Sequence, residues 1–329
     1  MLLRFLLTII SLVTLTMCTI NSSGTWKDET IDHLTRSEIG NLNDQLFNAI
    51  RNKNVEALKN LMSDKLLEAD GDNLGAIVND ISSAISDDYH VMNEFYVKNT
   101  STGTTNILPA GNGDDNDFTI KYQALNEEMY VSLLLTEGKT SGILITAIYG
   151  KYGNKWKINI IQFGQYSLFN MTAPEYYKQA KASYGQAYLI DAINLMGLSM
   201  KCLSPGNKFF EYKKADEITA FYNKVLDEVK AKYTFPLTLS SIPTQPQIFS
   251  VSLEMTDEGF SPIVYYLSNI DLANTPSLTA ENEKIKDEIG EIFPGIDQGK
   301  KYVFYRAFNE IPDGTREVEH YGFIDKQEE

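Results

Sequence analysis

Two cysteines and three histidines are all that the 329 residues offer in the way of soft metal ligands and near-neutral bases. The histidines (His33, His90 and His320) are spread along the chain, which nearly excludes a multi-histidine metal site, and two cysteines cannot build a cysteine-based zinc site. The phosphate loop G-x-x-x-x-G-K-[ST], the zinc-protease pair H-E-x-x-H and the nucleophile elbow G-x-S-x-G are absent. Nothing in the chain implies a cofactor. Basic charge is also scarce: 29 Lys and Arg stand against 44 Asp and Glu, a net charge of −15. Such a chain is repelled by phosphate backbones and anionic head groups, which argues against nucleic acid as a partner and against a basic membrane-binding patch. No apolar run reaches the ~20 residues of a spanning helix. The remainder, 43% hydrophobic and 22% charged, is the composition of an ordinary globular protein.

The longest apolar run, Phe5 to Leu15, follows one basic residue, Arg4, and ends at Cys18. A charged start, a short apolar core and a processing site make a secretory signal. The stretch Leu15-Thr16-Met17-Cys18 resembles a bacterial lipoprotein cleavage box, although Met17 stands where that family usually has a small residue. The resemblance implies a signal peptide over residues 1–17 and lipidation of Cys18. It also implies a membrane partner reached through the lipid anchor, and a place in the cell envelope on the periplasmic or surface face. Residues 18–35, with Asn21-Ser22-Ser23-Gly24, read as a flexible tether that leaves Trp26 exposed or at the interface. The second cysteine, Cys202, sits in an apolar helical context and is expected to be a buried structural thiol.

Residues 36–170 read as a first domain. Leu42, Leu46, Ala49 and Ile50 share a helical face; Val55, Leu58, Met62 and Leu66 share the next, with Asn54 as N-cap; Leu74, Ile77, Val78, Ile81 and Ile85 share a third. From Asp88 the period changes to two. Strands are predicted around His90–Val97, Phe118–Ala124, Met129–Thr136, Gly142–Tyr149 and Trp156–Ile160, following one another as an antiparallel meander covered by the helices. Helices followed by a curved meander with turns at Gly138 and Gly150–Asn154 resemble the cone-shaped nuclear-transport-factor-2-like superfamily. The segments Leu46–Leu58 and Gly150–Phe163 carry that resemblance. Enzymes of that kind place an acid or an Asp/His pair near a Tyr inside the cone. The resemblance therefore points to His90, Glu94 and Tyr96 on one strand face as weak catalytic candidates. Tyr96, with Tyr122 and Tyr130 across the sheet, would then line a ligand pocket. The acidic loop Gly111–Asp117 has oxygen ligands for calcium but lacks EF-hand spacing, so a solvated mobile loop is expected.

Residues 171–329 read as a helical hairpin followed by a small α+β domain. Pro174 opens the hairpin, a helix covers Ala215–Lys232, and strands at Phe249–Met255, Ile263–Leu267, Tyr302–Phe308 and Val318–Ile324 surround a helix capped at Thr279. The expected class is α+β: helices and a curved antiparallel meander, then a helical connector and a small antiparallel sheet backed by helices. The leading functional expectation is a non-catalytic envelope lipoprotein that binds a protein partner or a small apolar ligand. The alternative is an envelope enzyme of isomerase or hydrolase type using the cone pocket. A catalytic cone needs converging polar groups, a carrier needs an apolar cavity, and a protein-binding module needs an apolar surface outside the cone.

Overall fold

The computed structural model describes residues 23–327. The expected signal peptide, residues 1–17, and Cys18 lie outside the described residues. The fold is α+β, as the periodicities predict: helices, a curved antiparallel sheet, a helical connector and a last sheet backed by helices.

The chain starts earlier than the tether reading allowed. Strand β1 (Gly24–Lys27) pairs antiparallel with β2 (His90–Lys98), and Trp26 stacks on Tyr96 with ring centroids 5.4 Å apart. Asp32 then caps α1 (His33–Arg51) by accepting from the backbone of Leu34 and Thr35. The polar residues of 24–35 suggest a linker. Trp26 and the buried Ile31 anchor the segment instead, because each packs into the core beneath α1.

Helix α2 (Val55–Leu61) is capped by Asn54 as expected. The predicted second helix is interrupted at Met62, whose extended backbone bridges Ile158, and Ser63 caps a separate α3 (Asp64–Asp70). Helix α4 (Leu74–Ala84) completes the cover.

Strands β3 (Thr105–Ala110) and β4 (Phe118–Gln123) form a hairpin, followed by β5 (Glu128–Glu137), β6 (Ser141–Tyr152), β7 (Lys155–Leu168) and the short β8 (Met171–Thr172). The main sheet has six strands in the order β1-β2-β5-β6-β7-β8. The predicted meander is thus corrected at β4, which joins β3 and β9 (Phe210–Tyr212) in a separate three-stranded sheet. Phe118, Ile120 and Tyr122 do alternate into the core, but a period of two specifies a half-buried strand and not its neighbour. Register shifts in the β2–β5 and β6–β7 ladders bend the main sheet into its cone-like curve.

Both faces of this sheet are buried, which is why β5 and β6 read as nearly continuous apolar runs. Tyr96, Tyr130, Leu134, Tyr149 and Trp156 face α1–α4. Phe95, Val97, Met129, Val131 and Leu133 face the β3-β4-β9 sheet and the connector. That connector comprises α5 (Ala173–Gly185), α6 (Leu189–Lys201) and α7 (Ala215–Lys232). It forms the wall between two cores: Tyr177, Met196, Cys202 and Ile218 pack toward the main sheet, and Ile190, Val225 and Val229 toward the last one. Cys202 is fully buried, and burial pushes its thiol up to about 12.

The last sheet has the order β10-β11-β12-β13-β14: Leu237–Thr238, Gln247–Thr256, Gly259–Leu267, Tyr302–Phe308 and His320–Lys326. It is mixed, not purely antiparallel. Helix α8 (Thr275–Ile292) carries the chain back along the sheet, so β13 runs parallel to β12. Asn274, not Thr279, caps α8. Tyr266 and Tyr305 are core residues.

Candidate functional site

The sequence pointed into the cone, and the structure brings part of that constellation together. Glu94, on β2, is 3% exposed and faces α1. Its carboxylate accepts from the Arg36 guanidinium on one oxygen and from the Tyr130 hydroxyl, at 2.5 Å, on the other. Asp28 holds the same strand by accepting from the Glu94 backbone N–H at 2.9 Å and the Asn93 side chain at 3.1 Å. Beside this group the Tyr149 hydroxyl donates to Asn43, and Asn43 donates to Ser132. Tyr96 donates to Glu128 at 2.6 Å, and Lys151 pairs with the same carboxylate at 3.2 Å.

The electrostatics follow from burial and pairing. Burial, then the Glu94 carboxylate, raises the Tyr130 hydroxyl far above the usual tyrosine range. Burial and Glu128 do the same to Tyr96. Burial opposes ionisation of Glu128, but hydrogen bonds from Tyr96 and Lys151 outweigh it and hold this carboxyl below its ordinary value. Arg36 is raised by its bond to Glu94. Each polar group in this seam has a protein partner, and Tyr130 is 0% exposed. The seam ties α1 to the sheet.

His90 is not part of it. The register shift between Val91 and Asn93 places His90 opposite Leu135, whereas Glu94 lies opposite Ser132. Leu135 and Ser132 are three residues apart on one strand and face opposite ways, so His90 and Glu94 do too. His90 is exposed, with Glu137 at 3.7 Å. Tyr122 is likewise on another sheet from Tyr96 and Tyr130. His320 lies exposed on β14, against the ring of Phe308. The acidic loop is pinned: Lys213 pairs with Asp117 at 2.5 Å, Lys214 with Asp115 at 2.6 Å, and Asn116 accepts from Thr172. Among the described residues no group of three or more His, Cys, Asp or Glu is placed to hold a metal ion.

The open surface lies elsewhere, along β7. Three depressions of about 350, 480 and 480 Å³ adjoin one another there. The first is apolar, walled by Leu66, Leu74, Ile77, Ile81 and Phe163. It shares Leu66, Ile161 and Gln162 with the second, which shares Leu125, Ile160, Lys208 and Phe209 with the third. Tyr122, a sequence candidate for ligand contact, lines the third. The result is a continuous trench, apolar at one end. Toward the other end stand Lys65, Lys121 and Lys208, all exposed. None of the three enters an ion pair among the described residues.

The trench floor is a strand edge. β7 pairs with β6 on one side, but β8 reaches only Ser167 and Leu168 on the other, and Met62 and Ser63 reach only Ile158. Among the described residues no backbone hydrogen bond from outside the β6–β7 ladder reaches residues 159–166. The turn at Pro205 crosses over Gly164 so closely that a Cβ there would sit 2.3 Å from the Pro205 carbonyl oxygen. No local pattern marks this surface, because its residues come from α3, α4, β4, β7 and the segment before β9, and only folding brings them together.

The first domain therefore has the cone-like curved-sheet shape of the superfamily that its sequence resembles. No family model, no curated protein and no solved structure matches the chain.

Proposed function

We propose that the chain is a binding protein, not an enzyme, and that its partner is a protein whose extended segment lies in the β7 trench. The observation that carries this reading is the unpaired outer edge of residues 159–166 set in a trench with apolar walls. An extended segment added there gains main-chain hydrogen bonds from the edge and places alternate side chains in the pockets. The three unpaired lysines favour acidic residues at the end of the segment that lies near Lys121 and Lys208. The satisfied seam around Glu94 supports a structural role for the cone interior, since a general base needs reach to a substrate proton.

Peptide-display selection on the purified chain tests the reading. Enriched peptides should alternate apolar and polar residues, carry acids at one end, and bind at least about tenfold more weakly to Ile161→Pro, which removes an N–H that points away from β6 at the open edge. Absence of enrichment, or equal binding to the variant, contradicts it. We also propose that the protein is held at the envelope through lipidated Cys18. Fractionation should then find Cys18→Ser soluble or unprocessed, and a fully processed, membrane-held Cys18→Ser protein would refute the anchor.

A further inference from the structure

A second cavity, of about 240 Å³, lies where the first domain, the connector and the last sheet meet. Its apolar walls are Phe169, from the β7–β8 turn, and Phe260, from the β11–β12 hairpin, with Leu195 and Leu198 of α6. The two phenyl rings meet edge to face across the domain junction, centroids 5.0 Å apart at 79°. Phe169 and Asn170 both adopt left-handed backbone, with φ of 46° and 59°. A turn of that kind normally takes Gly or Asn, and a bulky residue held there signals a position fixed by more than local preference.

The polar side of the cavity carries both donors and acceptors. Asp191 is buried and accepts from Lys300 Nζ at 2.5 Å. The Asn194 side-chain Nδ2 is buried without a hydrogen-bond partner. Glu258, at the rim, is paired with Lys301 at 2.5 Å. The charges in the cavity are thus balanced, and no free charge is left to recognise an ion. Burial raises the Asp191 carboxyl above its ordinary range despite Lys300.

We infer that this cleft binds one neutral, hexose-sized sugar ring. The volume lies at or below the lower bound of typical small-molecule pockets, ~300 Å³, so one ring fits and two do not. A sugar hydroxyl accepts from Asn194 and donates to Asp191 at once, which satisfies a donor otherwise orphaned. The C–H face of the sugar, weakly positive, lies against the negative face of one phenyl ring of the perpendicular Phe169–Phe260 pair. A plain aromatic molecule would fill the apolar wall but leave Asn194 unpaired.

Ligand-observed saturation-transfer NMR on the full chain, with D-glucose, D-galactose, D-mannose and N-acetyl-D-glucosamine as probes and benzyl alcohol as contrast, tests the inference. At least one sugar should bind. Phe260→Ala should weaken it about tenfold, and Asn194→Leu should abolish it, with both variants melting like the parent. Phe260 sits on a hairpin away from the cores, so its variant stays informative if Asn194→Leu fails to fold. Failure of every sugar to bind, binding that is indifferent to Phe260→Ala, or preference for benzyl alcohol would overturn the assignment. Because the cleft and the β7 trench share no lining residue, loss of one activity leaves the other standing.

Discussion

The helix-facing side of the main sheet and the outer edge of β7 treat polar groups in opposite ways. Beneath α1 the Glu94 carboxylate and the Asn43 amide are buried and paired, Glu94 with Arg36 and Tyr130, Asn43 with Ser132 and Tyr149. Along β7 a run of backbone has no partner among the described residues, and three lysines stand outside any ion pair, with Glu211 the one acid lining their end of the trench. Closed networks fix one arrangement of helix and sheet, while open donors and acceptors leave interactions to be made with something else. The difference sets a closed network inside the cone against open groups on its outside.

The comparison breaks most visibly at Glu94. Glu94→Ala strands Arg36 and removes the acceptor of Tyr130. The expected loss is about 2–3 kcal/mol in urea unfolding, below the 3–5 kcal/mol of a fully buried pair because Arg36 is 39% exposed. Peptide binding to the trench should survive in the folded fraction. If Glu94→Ala leaves stability intact but abolishes binding, the assignment of roles is reversed. At the trench, Gly164→Ala forces a methyl against the Pro205 backbone and should cost about 1–3 kcal/mol by thermal melting. It should also weaken binding, since the Pro205 turn is displaced from the edge. The smallest effect is in pH. Glu128 titrates below its ordinary value in the folded state, so its contribution is complete above the normal carboxylate range and is lost as pH falls through the depressed value. Asp191, raised by burial, contributes with the opposite sign. Glu128→Gln should flatten the acid limb of the stability curve relative to the parent protein.

Local patterns carried the elements well. The Asn54 cap, the span of α7 and the alternation of β4 are all visible in short windows, because capping and periodicity are local. Pairing was less visible. β4 left the meander, β1 was hidden in a polar stretch, and β12 and β13 turned out parallel, because partners are chosen by contacts distant in sequence. The site candidates show the same division. Glu94 and Tyr130 do meet, but one bulge turned His90 away. Arg36, 58 residues from Glu94, had no local signal. Phe169 had none either, since it is neither the Gly nor the Asn that marks a left-handed turn.

Amide hydrogen exchange across β7, with and without a selected peptide, tests the division of labour most directly. Slowed exchange in residues 159–166, with the Glu94–Tyr130 region unchanged, is the predicted result. Protection confined to the cone interior, with the β7 edge exchanging as freely as before, would contradict it.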